Sequence, residues 1–173
     1  MATTSPPTAV RSGPTDPVTV EHWTVDLVAP TRPDVARLLA HHEAVMRAQS
    51  PEASCHVKSA DDLARTAARF LTVRDAGRLL AVGALAPIAP DHEELKSMHV
   101  TQAARGLGAG KALVSALIDD ARRRGITRLS LETGSGEDHA AARALYASAG
   151  FVACGPYAGY TDDPLSTFMT REI

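Results

Sequence analysis

The run Arg105-Gly106-Leu107-Gly108-Ala109-Gly110-Lys111 stands between a strand pattern, residues 93–100, and the strongest helical pattern in the chain. Glycines at alternate positions let the backbone bend and approach a ligand closely, and the first-turn amides of the following helix have no partner within it. A strand, a glycine-bearing turn and a long helix in that order predict an α/β unit in which the turn is an anion site. In the helix, Leu113, Val114, Leu117, Ile118 and Ala121 form one apolar stripe, Arg122 to Arg124 sit at the negative end of the dipole, and Gly125 stops it.

Which anion is narrowed by exclusion. The P-loop pattern fails at two places, because Arg105 stands where its first glycine belongs and Ala112 where its hydroxyl belongs. The dinucleotide pattern fails at its third glycine, which is Lys111, and the segment lies mid-chain instead of at the first strand. ATP and NAD are both disfavoured. An isolated glycine-rich turn is more often only a turn, so the neighbouring segments decide.

Those neighbours read as follows. Val18, Val20, Val25 and Val28 with Trp23 predict a first strand over 18–28, and Val35, Leu38, Leu39, His42, Val45 and Met46 recur at helical spacing up to about residue 49. A polar loop, 50–58, leads to a short helix in which Ser59 is the expected cap and Leu63, Ala64 and Ala67 share a face. Strands at 70–74 and 79–87 flank the hairpin signal Asp75-Ala76-Gly77, and the second is apolar throughout, as in a strand covered on both faces. After the long helix come a strand at 128–133, a helix at 138–149 with Ala142, Leu145 and Ala149 inward, and last strands at 151–153 and 166–171. Hairpin-linked strands and strand–helix–strand crossovers together predict a mixed α/β sheet with helices on both faces.

The totals exclude several classes. A chain of 173 residues, 45% hydrophobic, holds one domain with a full core, expected over 18–173 behind a disordered Thr/Pro-rich tail, 1–17. Eighteen basic and 20 acidic side chains give a net charge of −2, which leaves no field for a nucleic acid. Charges or prolines interrupt every apolar run well short of the roughly 20 residues that span a bilayer. The two cysteines, Cys55 and Cys154, form neither a disulfide framework nor a zinc site, which fits a reducing compartment; a cytoplasmic protein without a metal is expected.

Two spaced motifs resemble the GNAT N-acetyltransferase superfamily. Arg105-x-x-Gly108-x-Gly110 follows the strand Glu94-Leu95-Lys96-Ser97-Met98-His99-Val100, and Ala142-x-x-Leu145-Tyr146-x-x-x-Gly150-Phe151 follows at the expected distance. The element order from residue 18 onward is similar too, and Leu131-Glu132-Thr133-Gly134 with Tyr157, Tyr160 and 163–166 looks like a subgroup of small bacterial members. The resemblance implies a mostly antiparallel sheet with a splayed central parallel pair. It implies acetyl-coenzyme A as cosubstrate, a small-molecule amine or peptide as acceptor, and a homodimer as the assembly to test. The chain departs from the family at His139, where an amide side chain that bonds coenzyme A is common.

By that resemblance the amides of Gly106, Leu107, Gly108, Ala109, Gly110 and Lys111 cradle the pyrophosphate beside Arg105, and the backbones of Met98, His99 and Val100 pair with the pantetheine arm, with Thr133, His139 and Ala142 along it. An alkyl ammonium with a pKa of about 10 is less than about a thousandth deprotonated at neutral pH, so a base is expected, first Glu94 and behind it Glu93 and His99. Strand alternation puts Glu94, Lys96, Met98 and Val100 on one face and Glu93 and His99 on the other. Tyr146 is the expected acid for the departing thiolate. His56, Tyr157 and Tyr160, on polar and aromatic loops, are the expected acceptor contacts. Two rivals stand beside this reading: a non-catalytic module that senses acyl-coenzyme A, and an acetyltransferase acting on protein lysines or N-termini.

Overall fold

The structure, a computed structural model, describes residues 23–49, 60–66 and 68–173. The expected tail, residues 18–22 of the first strand, Cys55, His56, Ser59 and Ala67 lie outside these residues. Eleven elements follow in the order β1 (Trp23–Val28), α1 (Pro33–Gln49), α2 (Ala60–Ala64), β2 (Arg69–Asp75), β3 (Arg78–Ala89), β4 (His92–Val100), α3 (Ala109–Arg123), β5 (Arg128–Gly134), α4 (Ala140–Ser148), β6 (Val152–Ala153) and β7 (Ser166–Glu172).

The seven strands form one sheet in the order β1-β2-β3-β4-β5-β7-β6, and every pair is antiparallel except β4 with β5. The hairpin between β2 and β3 closes on Asp75 opposite Arg78, with Ala76 at φ 46 and Gly77 at φ 82, the two positive dihedrals that a tight two-residue hairpin needs. On one face Val35 and Leu39 of α1 and Leu63 of α2 bury against Phe70, Val82 and Ala84. On the other, the α3 stripe packs on Leu71, Val73, Ala81, Leu85, Leu95, Leu129 and Leu131. Alternate residues of β3 thus enter two different cores, which is why residues 80–85 are apolar without interruption.

Helix α3 stops as its sequence dictates. Gly125, at φ 81, donates to Arg122 O at 3.0 Å and Ile126 donates to Ala121 O at 3.1 Å, a Schellman ending that satisfies the last carbonyls. Helix α4 starts later than its pattern predicts, because Glu137–His139 is a turn of 3-10 helix; Ala142, Leu145 and Ala149 pack against the core half-buried, and Tyr146 is its one fully buried residue. Among the described residues no helix is long and apolar enough to cross a membrane.

Candidate active site

The site begins where β4 and β5 part. Their parallel pairing runs from His92 opposite Arg128 to Leu95 opposite Leu131 and ends there, while β4 continues to Val100 along β3 and β5 continues to Gly134 along β7. The gap is an open cleft of about 710 Å³. Residues 96–100 form one wall and Glu132, Thr133 and Gly134 the other, joined by the glycine turn, Tyr146 and part of α1.

A bulge sets what faces the cleft. Ala84 pairs with Lys96 but Val82 pairs with His99, so two residues of β4 lie opposite Gly83, and Ser97 takes a positive φ of 54. The extra residue inverts the alternation expected from sequence. His99 now shares the α1 face with Glu94 and Lys96, whereas Met98 and Val100 turn to the α3 face with Glu93 and Leu95. Gly83 makes room for this: a Cβ there would meet Met98 Sδ and stand 3.1 Å from Leu113 Cδ2.

The turn has the geometry of an anion site. Gly106 and Gly108 sit at φ 74 and 92, Gly108 caps α3, and the first intrahelical bond runs from the Ala112 amide to Gly108 O at 3.0 Å. The amides of Ala109, Gly110 and Lys111 precede that bond and have no helical partner. Gly110 also lets α3 approach its neighbours, since a Cβ would come within 3.1 Å of Leu145 Cδ2 and 3.4 Å of Val100 Cγ2. Arg105, Gly106, Gly108, Ala109, Gly110 and Lys111 all line the cleft; Leu107 does not and is 41% exposed.

Glu94 lies in the cleft wall with its Oε1 held by three donors. Lys96 Nζ reaches it at 2.8 Å, Tyr160 OH at 2.7 Å and Tyr157 OH at 3.1 Å, and Lys96 also donates to Tyr160 OH at 2.7 Å. Oε2 accepts nothing from the described residues. The two tyrosines stack on each other and on Phe168, and burial followed by the Glu94 charge pushes both phenols well above their ordinary pKa. Tyr157 and Tyr160 thus bond the Glu94 carboxylate directly, and neither is among the residues that wall the cleft.

The reserve bases are placed differently from each other. Glu93, 5% exposed, points to the α3 face and is clasped by Arg124 through two bonds of 2.5 Å, with Arg124 joined in turn to Asp120 at 2.9 Å and Asp120 to Arg69 at 2.9 Å. That network ties β4, α3 and β2 together and keeps Glu93 out of the cleft. His99 is in the cleft wall, with Nδ1 3.2 Å from Nδ1 of half-buried His42 and the His41 ring edge-on at 5.7 Å. One of the two facing nitrogens must be a donor and the other an acceptor.

Burial, and after it the neighbouring histidines and Arg105, pushes both His42 and His99 down to about 4. The unfolded chain, with histidines near 6.5, takes up protons that the folded one refuses, so stability falls as pH drops through 6.5 and the loss levels off near 4. The melting temperature is expected to be lower at pH 5 than at pH 7.5. Replacing His99 with glutamine should flatten that dependence; an identical slope in the variant would remove the pair as its cause.

On the remaining walls His139 is half-buried over Gly134, where a Cβ would collide with the imidazole at Nδ1, and Thr133 and Ala142 line the cleft beside it. Tyr146 is 6% exposed, edge-on to Phe151, and its hydroxyl has no hydrogen-bond partner among the described residues. Burial first, and the Glu132 charge second, push its phenol upward, so it stays protonated. No group of three or more His, Cys, Asp or Glu that could hold a metal occurs among the described residues. Lys96, His42 and Glu132 complete the cleft without having been selected from the sequence as functional.

The sheet split between its two parallel strands and the glycine turn that opens α3 are the frame on which the site is built. The chain belongs to the acetyltransferase (GNAT) family, whose model matches residues 36–151. It is similar to the uncharacterised N-acetyltransferase YsnE of Bacillus subtilis, 36% identical over 80% of this chain and 92% of the relative. It also resembles a protein of Azospirillum brasilense named IAA acetyltransferase, 33% identical over 87% and 97%. Its fold matches a crystal structure from Klebsiella pneumoniae provisionally assigned as an acyl-CoA N-acyltransferase, with a TM-score of 0.70, 28% identity and coverage of 87% and 97%.

Proposed function

We propose that the protein transfers the acetyl group of acetyl-coenzyme A to a primary amine of a small molecule or peptide, by direct attack within a ternary complex. One observation carries this reading: a single cleft is walled at once by the first-turn amides of α3, by Tyr146, whose hydroxyl no described residue bonds, and by the Glu94 carboxylate. The family's use of acetyl-coenzyme A supports it.

In this reading Gly106, Gly108, Ala109, Gly110 and Lys111 offer amides to the pyrophosphate, and Arg105 and the α3 dipole add positive potential. Beyond Leu95 the β5-side backbone groups of β4 have no strand partner, so Met98 to Val100 offer a ladder to the pantetheine arm, flanked by Thr133, His139 and Ala142. Glu94 Oε2 accepts the proton of the ammonium. The freed nitrogen attacks the thioester carbon, the new C–N bond leaves an oxyanion that meets a backbone amide near Val100, and its collapse breaks the C–S bond. Tyr146 gives its proton to the departing sulfur, and the nitrogen, which carries one proton too many once the C–N bond has formed, loses it to solvent, from which Tyr146 is reprotonated. Release of thiol, followed over a panel of alkylamines, amino acids, peptides and IAA, tests the reading; binding of acetyl-coenzyme A with no release across the panel would leave a sensor instead of an enzyme.

The turn has its own test. Gly108 and Gly77 both occupy left-handed dihedrals, φ 92 and 82, with open space around the missing Cβ, so aspartate strains each about equally. Gly108→Asp also sets a negative charge where phosphates belong and is expected to weaken acetyl-coenzyme A binding by at least about tenfold, while Gly77→Asp leaves it unchanged. Equal affinities in calorimetry would remove the turn as the phosphate site.

A further inference from the structure

We propose that Lys96 is a self-acetylation site: when no free amine fills the cleft, its Nζ takes the acetyl group of acetyl-coenzyme A and the chain carries an acetylated lysine in its own cleft wall. The inference rests on the acetyl transfer argued above and adds a covalent modification of the protein itself.

Lysine is scarce in this chain, for among its 18 basic side chains only Lys58, Lys96 and Lys111 are lysines. Lys58 lies outside the described residues, and the other two both line the cleft. Their settings differ. Lys111 stands exposed in the first turn of α3, on the turn proposed to hold the phosphates. Lys96 pairs with Ala84 from β4, and its side chain is only 16% exposed in the wall beside Glu94. Its Nζ lies 2.8 Å from Glu94 Oε1 and 2.7 Å from Tyr160 OH, over the Tyr160 ring.

A primary ammonium is therefore already seated on the carboxylate that serves as base in the proposed transfer, beside the oxygen that takes the acceptor's proton. A nitrogen tethered there competes with a free amine at an effective concentration that a dilute acceptor does not reach. The flexible four-carbon stem of lysine lets it leave the ion pair and turn toward the thioester. Glu94 takes one proton from the Lys96 ammonium, and the Nζ lone pair forms the C–N bond at the thioester carbon. The second nitrogen proton passes to solvent, the C–S bond breaks and Tyr146 protonates the sulfur, which leaves an amide on Lys96 and free coenzyme A. The amide carries no charge and no lone pair fit to attack again, so each chain reacts once.

Incubated with acetyl-coenzyme A and no amine, the protein is expected to gain an acetyl group that tandem mass spectrometry places on Lys96, with at least about tenfold more label there than on Lys111. Acetic anhydride, a donor that needs no binding site, should label the free protein in the opposite order, because Lys111 is exposed and Lys96 is not. Glu94→Gln keeps an oxygen for Lys96 to bond but supplies no base, and should cut the Lys96 label from acetyl-coenzyme A at least about tenfold. An unchanged anhydride pattern in that variant separates loss of the base from misfolding. The same order of labelling with both donors overturns the inference, as does full Lys96 label in Glu94→Gln. Acetylation of added amines with Lys96 unlabelled overturns it too and leaves the acetyl-transfer reading standing. Label on Lys96 with no amine of the panel acetylated would uphold the self-acetylation and overturn only the reading of a free amine as acceptor.

Discussion

Tyr146→Phe is expected to lower turnover by roughly 10- to 10³-fold while leaving acetyl-coenzyme A affinity nearly unchanged, the lower part of the range for general acid catalysis because water can partly substitute. The substitution retains the ring and its edge-on contact with Phe151 and removes a hydroxyl that no described residue bonds. Because no described residue bonds that hydroxyl, its removal should cost little stability, well under the about 0.5 to 1.5 kcal/mol of a typical lost bond. Rate and stability therefore separate: a purely structural tyrosine would leave the rate per folded molecule unchanged, and a proton donor would leave the melting temperature unchanged. Full turnover in the phenylalanine variant takes Tyr146 out of the mechanism.

The largest loss of stability is expected from Arg124→Leu, about 1 to 3 kcal/mol, because Glu93 is buried and would be left without its cation while the guanidinium itself is partly open to solvent, which screens the pair. Glu93 would be left buried on the α3 face with no cation, whereas Asp120 keeps Arg69 at 2.9 Å. The Glu93 and Asp120 bonds also hold the Arg124 guanidinium above its ordinary pKa, in the direction expected of a group stabilised in its charged form. Removing both charges, as Glu93→Leu with Arg124→Leu, should recover much of the loss, since the pair is replaced by apolar groups and no orphan remains. Denaturant unfolding of the two single variants and the double variant gives the coupling; additive losses would show that the two side chains act independently.

The fold was legible where a local pattern dictates it. The Asp75-Ala76-Gly77 signal, the α3 stripe and Gly125 all act through the few residues around them, so their dihedrals and hydrogen bonds follow from the chain itself. The bulge at Ser97 was not legible, because a serine at positive φ leaves no mark of the kind a glycine would, and one inserted residue reverses every later side chain in the strand. His99 thereby moves to the face of Glu94, and Met98 and Val100 leave it.

Long-range contacts account for the rest. Tyr157 and Tyr160 lie 63 and 66 residues from the carboxylate they bond, a pairing that no periodicity encodes. Glu132 lies within Leu131-Glu132-Thr133-Gly134, yet its place on the cleft wall with Ser166 bonded to it appears only when β4, β5 and β7 are side by side.

Acetyl-coenzyme A carrying a ¹³C-labelled carbonyl, incubated with the protein and whichever amine releases most thiol, gives the most direct test. Acetyl transfer through a ternary complex predicts one labelled amide for each thiol released, with both signals limited to the single Lys96 event of each chain when the amine is omitted and both reduced together in Tyr146→Phe. Thiol released with the label in free acetate, at the same rate with and without amine, would contradict the account and make the cleft a thioesterase site.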